Sequence, residues 1–359
     1  MNSNTTDNVA KTSNSNEKSI RQPGLDVVRI IASISVVAVH FYLNCNFYQT
    51  PLQGPKMFVM TCSRWLFMIC VPLFMMLTGY LKCHKTATKA HYLSLIPIII
   101  SYIIISFGKI IISNIYYGAG FYTFSSGLKA IATYQIAWYV GMYVGLMLII
   151  PFLNKLIGAL SQKEFKWLIV SFVLIACVFP IVQYVIPSYW QAIYPLAYYF
   201  IGAYIREYRP KVNKWILSGA VVIMTLINGT VSYIAAGGEF FRNDVLAAVD
   251  SGYSVVTVLV ATVAVFLMFY DSFEKSTEMN KGVSGILQII SSASLEIYLF
   301  TGVFDVIIFS FLKQTYTMAS EMFWLFFITV PLNFVCSAIC GIIVNKFVRW
   351  IYNLFVKNK

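Results

Sequence analysis

From Leu25 to Asn345 the chain runs in long apolar stretches separated by short polar breaks, and the charged side chains gather in the breaks. A helix needs about 20 residues to cross a hydrocarbon core of about 30 Å. On that ruler the apolar runs are 25–43, 65–81, 93–113, 134–150, 167–186, 192–205, 215–236, 251–270, 286–311 and 322–345. The sixth is short and hemmed in by Pro187, Pro195 and Pro210, so nine or eleven spans stay open beside ten. The pattern predicts an all-α integral membrane protein, a polytopic bundle of about ten transmembrane helices. Residues 1–22, polar and rich in Asn, Ser and Thr, read as a disordered N-terminal tail and not as a cleaved signal. Residues 23–345 form the transmembrane domain, and 346–359 a basic C-terminal tail.

Composition narrows the class. Of 359 residues, 59% are hydrophobic and 11% charged, against roughly 25% charged in soluble domains. Too little polar surface remains to face water all round. The net charge of +12 would suggest nucleic acid in a soluble protein, but here no basic face stays free of lipid to read phosphates. With the N-terminus inside, most of the 26 Lys and Arg fall in loops on one side. This bias predicts cytoplasmic termini and an even number of spans. Membrane lipids are the expected surroundings. The seven cysteines form no CxxC pair, and Cys83, His84 and His91 lack a four-ligand pattern, so no metal site is expected.

Ionisable residues inside spans cost about 2.5–3.5 kcal/mol on insertion scales, which makes each a functional candidate. Arg29 and His40 stand eleven positions apart in the first run. At ~100° and ~1.5 Å per residue they share one face to within about 20° and lie ~16.5 Å apart along the axis. Asp26 and Ser33 fall on the same face, and this polar stripe predicts a hydrated path lined by both Arg29 and His40. Read singly, Arg29 is a headgroup anchor paired with Asp26, and His40 an interhelical hydrogen bond. Arg64, at the start of the second run, reads equally as an anchor beside Trp65. In the ninth run Ser294, Tyr298, Thr301 and Asp305 share a face, while Glu296 points elsewhere.

Asp26-x-x-Arg29, then ten residues, then His40, resembles the first span of the membrane acyltransferase 3 family, whose hallmark is Arg-x10-His. Arg64 followed by Val71-Pro72-Leu73-Phe74-Met75-Met76-Leu77-Thr78-Gly79-Tyr80 is similar to the family's second span, with Thr78 for the usual Ser. Trp138-Tyr139, Phe200-Ile201-Gly202 and Ser294-Leu295-Glu296-Ile297-Tyr298-Leu299 resemble its later motifs, in order, over residues 22–345. Many relatives carry a further His where Thr301 stands.

The resemblance implies transfer of an acyl group, most often acetyl, from acetyl-CoA or another acyl-CoA to a hydroxyl of a cell-surface or lipid-linked glycan. It implies a bacterial cytoplasmic membrane and needs no metal. His40 is then the general base, acting on the hydroxyl or first accepting the acyl group. Arg29 pairs with a CoA phosphate or the forming negative charge, and Asp26 orients it. Arg64 holds the acceptor or the oxyanion, Trp138 and Tyr139 line a pocket, and Glu296 and Tyr298 sit on the acyl or acceptor path. Two alternatives stay open: a glycan or glycolipid exporter or flippase without chemistry, and a non-catalytic homologue, raised by Thr301. The oligomeric state is open too, a homo-oligomer included.

Overall fold

A computed structural model describes residues 22–178, 185–242, 245–246, 252–272 and 280–354. All regular structure among them is helical. In chain order the helices are α1 (Pro23–Asn44), α2 (Gly54–Phe67), α3 (Cys70–Lys82), α4 (Lys89–Leu93), α5 (Ile96–Tyr117), α6 (Phe124–Ala132) and α7 (Trp138–Ala159). There follow α8 (Gln162–Val173), α9 (Tyr194–Tyr208), α10 (Lys214–Ala236), α11 (Val256–Phe269), α12 (Lys281–Ser292), α13 (Ser294–Thr315) and α14 (Phe326–Tyr352).

Among the described residues seven stretches are long and apolar enough to span a membrane: Pro23–Gln49, Gly54–Lys82, Lys89–Tyr117, Trp138–Ala159, Lys214–Ala236, Ser294–Thr315 and Phe326–Tyr352. The count of ten is not reproduced. The run 192–205 forms α9, whose 15 residues reach only ~22 Å, short of the hydrocarbon core. The run 251–270 yields the 14 residues of α11. The run 167–186 starts as α8, passes into a π-helical turn at Leu174–Val178, and then leaves the described residues. Of the expected tail at 1–22, all but Gln22 lies outside them, as do residues 355–359.

Two boundaries moved for local reasons. The run 286–311 is broken at Ala293 (φ −104°, ψ 15°). There the Ser291 and Ser292 hydroxyls bond back to the Gln288 and Ile289 carbonyls, a competition with helix geometry typical of serine. The final helix continues through Tyr352, so Arg349 stands on a helix.

Burial is inverted relative to a water-soluble domain. Asp26, Ser33, Ser35, Ser101, Glu296, Asp305, Asn333 and Ser337 are buried, whereas Ile103, Phe107, Ile111, Leu148, Phe152, Ile339 and Ile343 face outward. In lipid this is the stable arrangement, because polar groups must find partners inside the bundle. The hub is α1, which packs against α2, α3, α11, α12, α13 and α14. Beside it α3 and α9 cross at van der Waals distance. A Cβ on Gly79 would come 2.0 Å from the Tyr199 carbonyl oxygen, and one on Gly202 would come 2.1 Å from that of Met76. Small residues let helix backbones approach in membranes, and these two face each other's helix reciprocally.

Candidate active site

Packing of α1 along α13 brings His40 to Asp305. His40 Nδ1 lies 2.6 Å from Asp305 Oδ2. The other carboxylate oxygen accepts a hydrogen bond from Asn333 Nδ2 at 2.9 Å, and Asn333 Oδ1 accepts one from the Ser337 hydroxyl at 2.9 Å. The carboxylate is thus held on both oxygens, and Asp305 is only 5% exposed. A carboxylate at Nδ1 fixes the proton there and leaves the Nε2 lone pair available, the tautomer a general base needs. About a quarter of the His40 side chain remains accessible. Thr301, one turn before Asp305, turns its hydroxyl onto the Ile297 carbonyl of its own helix.

At the opposite end of α1 a cavity of about 450 Å³ opens between α1, α3, α5, α7, α12, α13 and α14. Arg29, Lys82 and Arg349 reach it from three different helices, and Asp26 is its acidic member. Asp26 takes a hydrogen bond from the Ser291 hydroxyl and lies 3.9 Å from Arg29 Nη1. The helix break at Ala293 places Ser291, Ser292 and Ser294 on the wall, which Thr78 also lines. Three cations over hydroxyl-bearing walls suit an anion with several phosphate groups.

His40 is not among the residues that line this cavity, whereas Tyr139, Tyr143 and Tyr298 are. The Tyr298 ring stands edge-on to His40 with centroids 6.4 Å apart, and to Tyr139 at 5.4 Å. The single path expected from the Arg29–His40 stripe is therefore interrupted by an aromatic partition. The stripe itself is filled in between, since Ser33 is buried and bonds the Arg29 carbonyl.

The remaining sequence candidates fall elsewhere. Glu296 lines a second cavity of about 450 Å³, which shares Ile98, Ser292, Ser294, Leu295 and Arg349 with the first. Its carboxylate accepts from the Ser101 hydroxyl at 2.7 Å and from Asn345 at 3.1 Å. Arg64 is 1% exposed. Its guanidinium lies over the rings of Tyr48, Trp65 and Phe241 at 5.5, 4.7 and 4.4 Å, and its Nε donates to the Tyr48 hydroxyl at 2.9 Å. Trp138 is half exposed at the start of α7 and contacts Tyr139 and Tyr253.

The acyltransferase 3 family model, described as an acyltransferase domain, matches residues 22–342. The chain belongs to this family. It is accordingly a membrane acyltransferase. No curated protein and no solved structure matches it.

Asp305 is the residue of the acyltransferase that sequence reasoning did not select. It lies on the face shared by Ser294, Tyr298 and Thr301, whereas the acid within the Ser294–Leu299 motif is Glu296, in the first turn of α13. One group among the described residues has metal-ligand spacing: Cys83, His84 and Glu207, within 4.8 Å of one another. It lies where α3 and α9 end, next in the chain to Lys82 of the cavity wall. His84 Nε2 lies 3.0 Å from a Glu207 carboxylate oxygen, and burial, followed by the Glu207 charge, pushes the Cys83 thiol up to about 12.

Proposed function

We propose that the acyltransferase moves an acyl group, acetyl in the simplest case, from acyl-CoA in the Arg29 cavity to a hydroxyl of a cell-surface or lipid-linked glycan. In this reading the protein sits in a bacterial cytoplasmic membrane with the Arg29 end and both termini inside. The observation that carries it is the His40–Asp305 pair at 2.6 Å, because a carboxylate at Nδ1 leaves Nε2 placed to act as the base of an acyl transfer. The cation-lined cavity at the other end of α1 supports the donor assignment.

The chemistry follows from these residues. His40 Nε2 takes the proton of the acceptor hydroxyl as its oxygen attacks the thioester carbonyl carbon. The C–S bond then breaks, the acyl ester is formed, and the CoA thiolate takes the proton back from the imidazolium. Asp305 orients and stabilises the imidazolium, the role of the carboxylate in a Ser-His-Asp triad. An acyl-imidazole route would use the same Nε2. Arg29, with Lys82 and Arg349, holds the CoA phosphates, and Asp26 with Ser291 orients Arg29. Tyr298 must swing aside for the thioester to reach His40. Arg64, Trp138, Tyr139 and Glu296 act as walls and supports for donor and acceptor.

Mass spectrometry of envelope glycans from cells with and without the protein tests the reading. An ester-linked acyl mass that is lost on deletion, and restored in membranes supplied with isotope-labelled acetyl-CoA, is the expected result. Unmodified glycan that fails to leave the inner face, with no acyl product in either strain, would instead favour an exporter.

A further inference from the structure

Lys109 lies on α5, two turns from its His40-side end, half-buried in a stretch that spans the membrane. Such a lysine is costly and calls for a partner inside the bundle. Its ammonium packs against α13 at Gly302: a Cβ on that glycine would stand 2.8 Å from Lys109 Nζ and 3.4 Å from Cε. Gly302 therefore makes the space the lysine occupies. Three residues on, on the same face of α13, is Asp305.

The described hydrogen-bond partners of Asp305 are the His40 imidazole and the Asn333 amide. An amide offers no charge to offset a carboxylate in a low-dielectric interior, whereas an ammonium one turn away on the same face of α13 does. We infer that Lys109, seated on Gly302, is a positioning residue that steadies the Asp305 carboxylate against His40. This rests on the acyl-transfer reading for its consequence in turnover, but not for its effect on His40.

Two readouts separate those cases in the full-length protein reconstituted in lipid vesicles. The first is modification of His40 by diethyl pyrocarbonate, followed by peptide mass spectrometry, which needs no acyl donor. Lys109→Met should slow it several-fold, and Lys109→Arg should keep most of the wild-type rate. Gly302→Ala, which retains the lysine but crowds its amine, should fall between them and guards against misfolding of the Met variant. The second is acetyl transfer from acetyl-CoA, where Lys109→Met should lower kcat at least 30-fold with KM for the donor within about twofold. Wild-type His40 reactivity in both Lys109→Met and Gly302→Ala overturns the inference. So does a loss in Lys109→Arg as large as in Lys109→Met. Should His40 respond as expected while the wild-type protein transfers no acetyl, the coupling stands and the acyl-transfer reading falls.

Discussion

His40 on α1 and Asp305 on α13, 265 residues apart in the chain, share a 2.6 Å hydrogen bond near one end of the bundle. Arg29, on the same helix as His40, faces a cavity at the other end. This division assigns separate kinetic signatures to the two ends. Asp305→Asn should leave the fold intact but release the His40 tautomer, lowering kcat about 100-fold or more with little change in KM for the donor. Arg29→Ala removes a charge-assisted contact worth about 1.5–3 kcal/mol, so KM for acetyl-CoA should rise at least tenfold. Steady-state kinetics in vesicles reads both. Equal effects of the two variants on KM would contradict the division.

Tyr298 separates the cavity from His40, with its ring 6.4 Å from the imidazole. Removing the ring in Tyr298→Ala should let water reach the base beside bound thioester. Acceptor-independent hydrolysis of acetyl-CoA should then rise several-fold, since excluding water is what suppresses that side reaction. Release of CoA measured without glycan checks it, and an unchanged rate would mean the ring is no barrier.

Gly202→Ala should destabilise the protein without touching the chemistry. The new Cβ would meet the Met76 backbone at 2.1 Å, and backbone cannot yield as a side-chain tip can. Overpacking of this kind costs about 1–3 kcal/mol or more. A lower melting temperature in detergent is expected, with kcat preserved in the folded fraction. Gly108→Ala, where nothing lies within 4 Å of the added carbon, serves as the tolerated control.

Glu321 supplies a pH test. The backbone N–H groups of Met318 and Thr317 donate to its carboxylate and hold its pKa below the ordinary value. A carboxyl depressed in the folded state adds stability that is fully present above its unfolded value, roughly 4.3. That stability is lost as the pH falls through the folded value. Glu321→Gln should therefore lower the melting temperature at pH 7, and the gap from wild type should close in the acid range. A gap independent of pH would show that the charge is irrelevant to the turn.

The apolar runs were legible because a spanning helix must carry its hydrophobicity in its own sequence. Seven of them form helices long enough to span among the described residues. Helices α9 and α11 are shorter and buried against neighbours, and hydropathy alone does not distinguish a buried short helix from a spanning one. The break at Ala293 depends on two serines bonding backward, which a 3.6-residue period does not register. Arg29, Asp26 and Tyr298 share the cavity because they lie on faces the period does reveal. Asp305 escaped selection because its importance comes from a contact between α1 and α13, and only packing sets that register. Arg64 illustrates the opposite limit: beside Trp65 it reads as an interface anchor, yet folding encloses it among rings from three segments.

The most direct measurement is transfer of radiolabelled acetyl from acetyl-CoA into membrane glycans by vesicles carrying equal amounts of inserted wild-type protein or His40→Ala. Label should accumulate with the wild type and fall to background with the variant, while the variant's melting temperature stays close to wild type. Undiminished transfer by His40→Ala would contradict the account, because no other imidazole lies on α1 or faces Asp305 among the described residues.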